Sequence, residues 1–263
     1  LIPGDERLAL KTSTPAPWLQ HVPAVDGDGD AHVIVYPHAG GGPRFYRDLC
    51  RTLAQYMNVW VAHYPGREQR IADPLPESLV ALADALTEHI DAHVPRPFRM
   101  FGHSMGATVA LECARRLPER TESLVVSASP APHARDPRTV HSLAEGEFIT
   151  EIQSMGATPE GVLSHPELRA LVIPVLRHDF RLVETHEVAR ETIDTPIVAY
   201  AGRDDHTVTV DTIARWSECT TSSFSLRTFA GDHFYLQTAT DDLVDALRVD
   251  LLGAPTRGGH GRA

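Results

Sequence analysis

Three places in this chain hold the makings of a nucleophile, its base and the carboxylate that base needs. Residues 98–107, FRMFGHSMGA, carry Gly102, Ser104 and Gly106 as G-x-S-x-G between an apolar run and a helical period. In that setting a sharp strand-to-helix turn exposes the serine hydroxyl. The glycines two before and two after it remove side chains that would clash with the adjoining strand and helix. A serine hydroxyl is a weak nucleophile at neutral pH, so an imidazole must take its proton and a carboxylate must fix the imidazole's tautomer. In this type of chain the order is serine, acid, histidine. After the run 196–201 comes Gly202-Arg203-Asp204-Asp205, and after the run 224–229 comes Ala230-Gly231-Asp232-His233. Both loops fall where open α/β sheets collect their sites, at the C-terminal edge of the strands. Asp205 is preferred as the acid over the adjacent Asp204; one of the two can be merely solvated or cap the helix that begins near residue 208.

His233 is chosen from fifteen histidines by position. His103, beside the serine, reads as a packing residue whose side chain points away from the reaction. His89 and His93 stand at i, i+4 and line a wet face, and no histidine pair sits with a carboxylate in a metal-binding array, so no metal and no cofactor is expected. An oxyanion intermediate needs two backbone donors. One follows the nucleophile, at Met105, and the other comes from a loop after an early strand, which here is His38-Ala39-Gly40-Gly41-Gly42.

These residues need a scaffold, and the chain's periodicity supplies one. Short apolar runs at 31–36, 59–64, 98–101, 123–129, 196–201 and 224–229 read as buried strands. Between them, apolar residues recur at helical spacing over 45–56, 79–90, 105–117, 208–219 and 241–252. Repeated β-α-β units imply a mostly parallel sheet with helices on both faces. Residues 136–193 break the rhythm: they hold two or three amphipathic helical segments and no strand, an insertion that reads as a helical lid over a site. The leader 1–30 is mostly irregular with one edge strand near 18–22. The Gly- and Arg-rich tail 253–263 reads as disordered, and the whole of 1–263 reads as one domain.

Composition narrows the classes further. At 263 residues, with 42% apolar and 22% charged residues, the chain can bury a sizeable core. No apolar run approaches the roughly 20 residues of a bilayer span, and nothing at Leu1 resembles a signal peptide, so a cytoplasmic protein is expected. Cys50, Cys113 and Cys219 are odd in number and form no C-x-x-C pair, which fits reduced structural thiols. A net charge of -11 argues against binding nucleic acid by bulk attraction.

Five ordered motifs resemble the type II thioesterases that accompany polyketide synthases and nonribosomal peptide synthetases. They are Tyr36-Pro37-His38-Ala39-Gly40-Gly41, Tyr64-Pro65-Gly66-Arg67-Glu68, Phe101-Gly102-His103-Ser104-Met105-Gly106-Ala107, Leu176-Arg177-His178-Asp179-Phe180 and Gly231-Asp232-His233-Phe234-Tyr235-Leu236. The resemblance runs from about residue 36 to 252. It implies an α/β-hydrolase fold with a helical lid, a monomer, and hydrolysis of acyl groups from the phosphopantetheine arm of an acyl or peptidyl carrier protein. By that likeness Ser104 is the nucleophile, Asp205 the acid and His233 the base, with the Ala39 and Met105 amides as oxyanion donors. Departures lie in residues 156–160, at His186 and in a long leader. Carrier proteins are commonly acidic too, so docking would rest on a local cluster of arginines and apolar contacts rather than on bulk attraction; Lys11 is the only lysine among the 24 basic residues. Two rival readings share these residues: an oxygen-ester or lipid esterase on the same triad, and a hydrolase fold that only binds a ligand.

Overall fold

A computed structural model describes residues 18–25, 30–156, 160–187 and 191–253. The leader ahead of Trp18, the tail beyond Gly253, and Ala157, Thr158 and Pro159 of the divergent stretch lie outside the described residues.

Among the described residues, seven strands form one sheet: β1 (Leu19–Val22), β2 (His32–Tyr36), β3 (Asn58–Ala62), β4 (Phe98–His103), β5 (Thr121–Ser127), β6 (Ile197–Gly202) and β7 (Phe224–Phe229), in the order β1-β3-β2-β4-β5-β6-β7. Every pairing is parallel except β1 with β3 at the edge. The central strands are apolar on both faces, as a sheet covered twice requires. In β2 every residue is buried, with Ile34 and Tyr36 facing one core and Val33 and Val35 the other. The first core is closed by α2 (Leu79–His93) and α3 (Met105–Arg116), the second by α1 (Arg47–Leu53) and a helix near the C-terminus, Thr240–Leu252. This is the α/β-hydrolase arrangement expected from the alternation and the resemblance.

The helical insertion is built from α4 (Glu145–Met155), α5 (Glu160–Ser164) and α6 (Pro166–Glu184). It has a small core of its own, with Phe148, Ile152, Leu163, Ile173 and Leu176 buried together. Arg177 ties it internally, donating to the His141 and Leu143 carbonyls at 2.6 and 2.7 Å while lying over the Phe148 ring. Further on come α7 (Val210–Ala214), α8 (Tyr235–Thr238) and α9, the Thr240–Leu252 helix.

Element boundaries differ from the periodicity in two instructive places. The 45–56 period yields a helix only over Arg47–Leu53, because the Phe45 amide closes a turn onto the Gly42 carbonyl at 3.1 Å. The 208–219 period splits into α7 and a 3-10 turn at Arg215–Cys219, where buried Trp216 donates its indole N–H to the Ser129 carbonyl at 2.9 Å; one tertiary bond outweighs the local helical preference. The three cysteines are free and buried. Among the described residues no helix is long and apolar enough to cross a membrane.

Candidate active site

Ser104 joins β4 to α3 with φ 55° and ψ -120°, a left-handed backbone that a non-glycine residue adopts only when its surroundings enforce it. Two close approaches enforce it. A Cβ on Gly102 would lie 2.3 Å from the Gly106 carbonyl oxygen, and one on Gly106 would lie 1.9 Å from that of Tyr36. The start of α3 is thereby pressed against the end of β2, where the 37–42 loop begins. The Ser104 amide donates to the Ser127 carbonyl on β5 at 2.8 Å, which fixes the turn from the other side.

The loops after β6 and β7 bring the expected acid and base, Asp205 and His233, to this serine. Ser104 Oγ lies 3.1 Å from His233 Nε2, and His233 Nδ1 lies 2.8 Å from Asp205 Oδ2. Of the two adjacent aspartates, only Asp205 reaches the imidazole. Asp204 is exposed, and its carboxylate accepts the Gly231 amide at 3.1 Å, so it braces the two loops against each other. The Asp205 side chain is fully covered and its Oδ1 accepts three donors: the Thr207 amide at 2.8 Å, the Thr207 hydroxyl at 2.7 Å and the Val208 amide at 3.1 Å. Burial pushes this carboxyl up, but the bond and charge of His233 and the two Thr207 bonds outweigh it and hold it below the usual carboxylate range. An ionised acceptor aimed at Nδ1 keeps that nitrogen protonated and leaves Nε2 free to accept the Ser104 proton.

Sequence reasoning passed over Thr207, whose hydroxyl also lies 3.0 Å from His233 Nδ1. The D-x-T spacing after Gly202 was a readable sign, since an aspartate commonly accepts the amide two residues on.

The two expected donors lie beside Ser104. Met105 opens α3, so its N–H has no acceptor within its own helix. Ala39 and Ser104 line a small cavity together with His38, Leu176, Phe180 and Phe234. A larger cavity of about 190 Å³ also opens at Ser104, between the end of β5, α7 and the insertion, with Met105, Ala128, Pro130, Met155, Phe180 and Val208 among its walls. Phe180 of α6 borders both.

Two further histidines crowd the site without joining the relay. His103 is wholly buried, with Nδ1 2.8 Å from Ser127 Oγ, which in turn lies 2.5 Å from the Tyr235 hydroxyl; its ring packs 5.4 Å from that of His233. His38 takes the Tyr46 hydroxyl on Nδ1 at 2.8 Å. Burial first, then the neighbouring His233 and Arg67 charges, pushes His38 down to about 3; burial, with His233 and His38 beside it, drives His103 well below the ordinary imidazole value. A folded pKa below the unfolded one means the unfolded chain binds more protons, so stability is lost as pH falls from about 6.5 toward 3. The slope is about 1.4 kcal/mol per pH unit for each histidine kept neutral. Urea unfolding at stepped pH should show this acid-side fall, and His38→Gln should flatten it by about one proton; an unchanged slope in that variant would contradict the assignment. Among the described residues, no group of three or more histidine, cysteine or acidic side chains is arranged to hold a metal ion.

The thioesterase domain family model matches residues 31–250. Thioesterase PikA5 of Streptomyces venezuelae is 34% identical over 236 residues, covering 85% of this chain and 83% of that protein. The probable cadicidin biosynthesis thioesterase of Streptomyces griseus is 31% identical over 254 residues, covering 94% and 70%. Among solved structures, the type II thioesterase BorB from the borrelidin biosynthetic cluster superposes with TM-score 0.78 at 35% identity, covering 90% of this chain and 97% of that one. YbtT, the type II thioesterase of the yersiniabactin NRPS/PKS pathway, gives 0.79 at 27% identity, covering 88% and 97%.

Proposed function

Because the chain belongs to the thioesterase family, we propose that Ser104, His233 and Asp205 hydrolyse acyl groups from the phosphopantetheine arm of an acyl or peptidyl carrier protein in polyketide or nonribosomal peptide biosynthesis, clearing misprimed or stalled carriers. The observation that carries this reading is the unbroken line from Ser104 Oγ through His233 to Asp205, at 3.1 and 2.8 Å, next to a glycine-rich loop.

Ser104 Oγ attacks the thioester carbonyl carbon while its proton passes to His233 Nε2. The Ala39 and Met105 amides hold the oxyanion. As the C–S bond breaks, His233 returns that proton to the leaving pantetheine sulfur, and an acyl-serine remains. Water then attacks the acyl carbon and gives a proton to His233, which passes it to Ser104 Oγ as the ester bond breaks and the carboxylic acid departs. Asp205 keeps Nδ1 protonated throughout and faces the imidazolium formed in each half-reaction.

The insertion acts in this scheme as a lid. Its Met155 and Phe180, with Ala128, Pro130 and Val208, make the larger cavity mostly apolar, as an acyl chain requires. The sulfur leaving group is the feature that separates this reading from an oxygen-ester esterase on the same three residues. Parallel assays on an acyl-carrier protein thioester and on a p-nitrophenyl ester of the same acyl chain should give the higher kcat/KM for the carrier thioester. A higher value for the p-nitrophenyl ester would favour the esterase.

A further inference from the structure

Two of the five motifs hold neither a relay residue nor an expected oxyanion donor, yet their charged residues meet: Arg67 from the loop after β3, and Asp179 from α6 of the insertion. They form an ion pair with side chains only 7% and 3% exposed. The oxygen of Asp179 that faces Arg67 also accepts the Gly40 amide, at 2.7 Å, across 139 residues of sequence. Gly40 belongs to the loop that carries Ala39.

The loop's conformation gives this bond its meaning. The Gly41 amide donates to the His38 carbonyl at 2.9 Å, and Gly40, the third residue of that turn, has φ +74°. A positive φ there marks a type II turn, which differs from type I by a flip of the central peptide. Flipping it would turn the Ala39 carbonyl oxygen, instead of the Gly40 N–H, toward a carboxylate. The packing leaves no slack: a Cβ on Gly40 would lie 2.4 Å from Leu176 Cδ2 on α6.

We propose that Asp179, neutralised by Arg67, is a positioning residue that fixes the Ala39–Gly40 peptide from α6, and so anchors Ala39, whose own N–H on the preceding peptide serves the oxyanion, at that side of the turn. The inference rests on reading Ser104 as the nucleophile and Ala39 as a donor. Burial raises the Asp179 carboxyl, but the Arg67 charge, the His178 ring 3.5 Å away and the bonds from Gly40 and Arg67 outweigh it and hold the group below the usual carboxylate range. A buried ion pair is a weak source of stability, and apolar residues of similar volume often replace one without loss. What an apolar pair cannot supply is an acceptor for the Gly40 amide.

That difference sets the test. Asp179→Asn/Arg67→Met and Asp179→Leu/Arg67→Met both remove the buried charges, and only the first keeps an oxygen for Gly40; Asp179→Ala/Arg67→Met serves as a smaller companion to the leucine variant. Below all melting transitions, the asparagine variant should exceed the apolar ones in kcat by about tenfold or more, with KM within about threefold. The Ki of an acyl trifluoromethyl ketone, whose hemiketal oxyanion occupies the same place, should weaken in the apolar variants in step with kcat, because removing one oxyanion donor outright is worth roughly 10²–10³ in kcat. Equal kcat and equal Ki in the asparagine and apolar variants would overturn the proposal even if the pair proves stabilising. Substantial turnover in a Ser104→Ala control, far above what the roughly 10⁶-fold loss expected on removing the nucleophile would leave, would instead overturn the reading beneath it.

Discussion

Ser104→Ala lowers kcat on an acyl-N-acetylcysteamine thioester by about 10⁶-fold, the scale on which serine hydrolases lose rate when the nucleophile is removed. What remains comes from binding and from the oxyanion donors, which the substitution leaves in place. Thermal unfolding of the variant stays close to that of the parent. The hydroxyl's hydrogen bond is to His233, and the backbone is shaped by Gly102, Gly106 and the Ser127 carbonyl rather than by the side chain. Activity lost together with a large drop in melting temperature would mean that the residue holds the fold, and substantial turnover with the fold intact would remove the mechanism.

The second large effect separates two neighbouring aspartates. Asp205→Asn keeps the shape but exchanges one oxygen for an NH2 group. Three donors converge on Oδ1, from the Thr207 amide, the Thr207 hydroxyl and the Val208 amide, so the retained oxygen of an asparagine stays with them. The NH2 then faces His233 Nδ1, the imidazole moves its proton to Nε2, and Ser104 loses its base. An acid-to-amide change of this kind lowers kcat by about 10⁴-fold. Asp204→Asn retains an acceptor for the Gly231 amide at an exposed position and should change kcat by less than about tenfold. Steady-state rates of the two variants side by side decide the matter; an inactive Asp204→Asn beside an active Asp205→Asn would transfer the role.

The parts of this molecule legible in the sequence are those governed by local pattern. Strands such as His32–Tyr36 and Phe224–Phe229 are continuous or alternating apolar runs between turn residues. The serine turn announces itself because close backbone packing at Gly102 and Gly106 admits no side chain. The loops holding Asp205 and His233 followed from chain order, since a parallel sheet delivers successive strand ends to one edge. Long-range side-chain partnerships carry no such mark. The bond from Asp179 to the Gly40 amide joins residues on opposite sides of the nucleophile in the sequence, and the His103, Ser127 and Tyr235 network joins three elements. The motif holding Asp179 was visible as part of a resemblance, but its partner in space was not. His103 read as packing, and it does pack; its bond to Ser127 and its tilted contact with the His233 ring depend on how β4, β5 and α8 meet. The break between α7 and the 3-10 turn likewise depends on where Trp216 finds an acceptor.

The central claim is that thioester hydrolysis passes through an acyl group carried on Ser104. Rapid acid quenching of the enzyme with an acyl-N-acetylcysteamine thioester, followed by intact mass measurement and peptide mapping, tests it most directly. The account predicts a mass increase of one acyl group, located on the peptide bearing Ser104 and missing from Ser104→Ala. Acylation mapped to any other residue, or full turnover by Ser104→Ala, would contradict it.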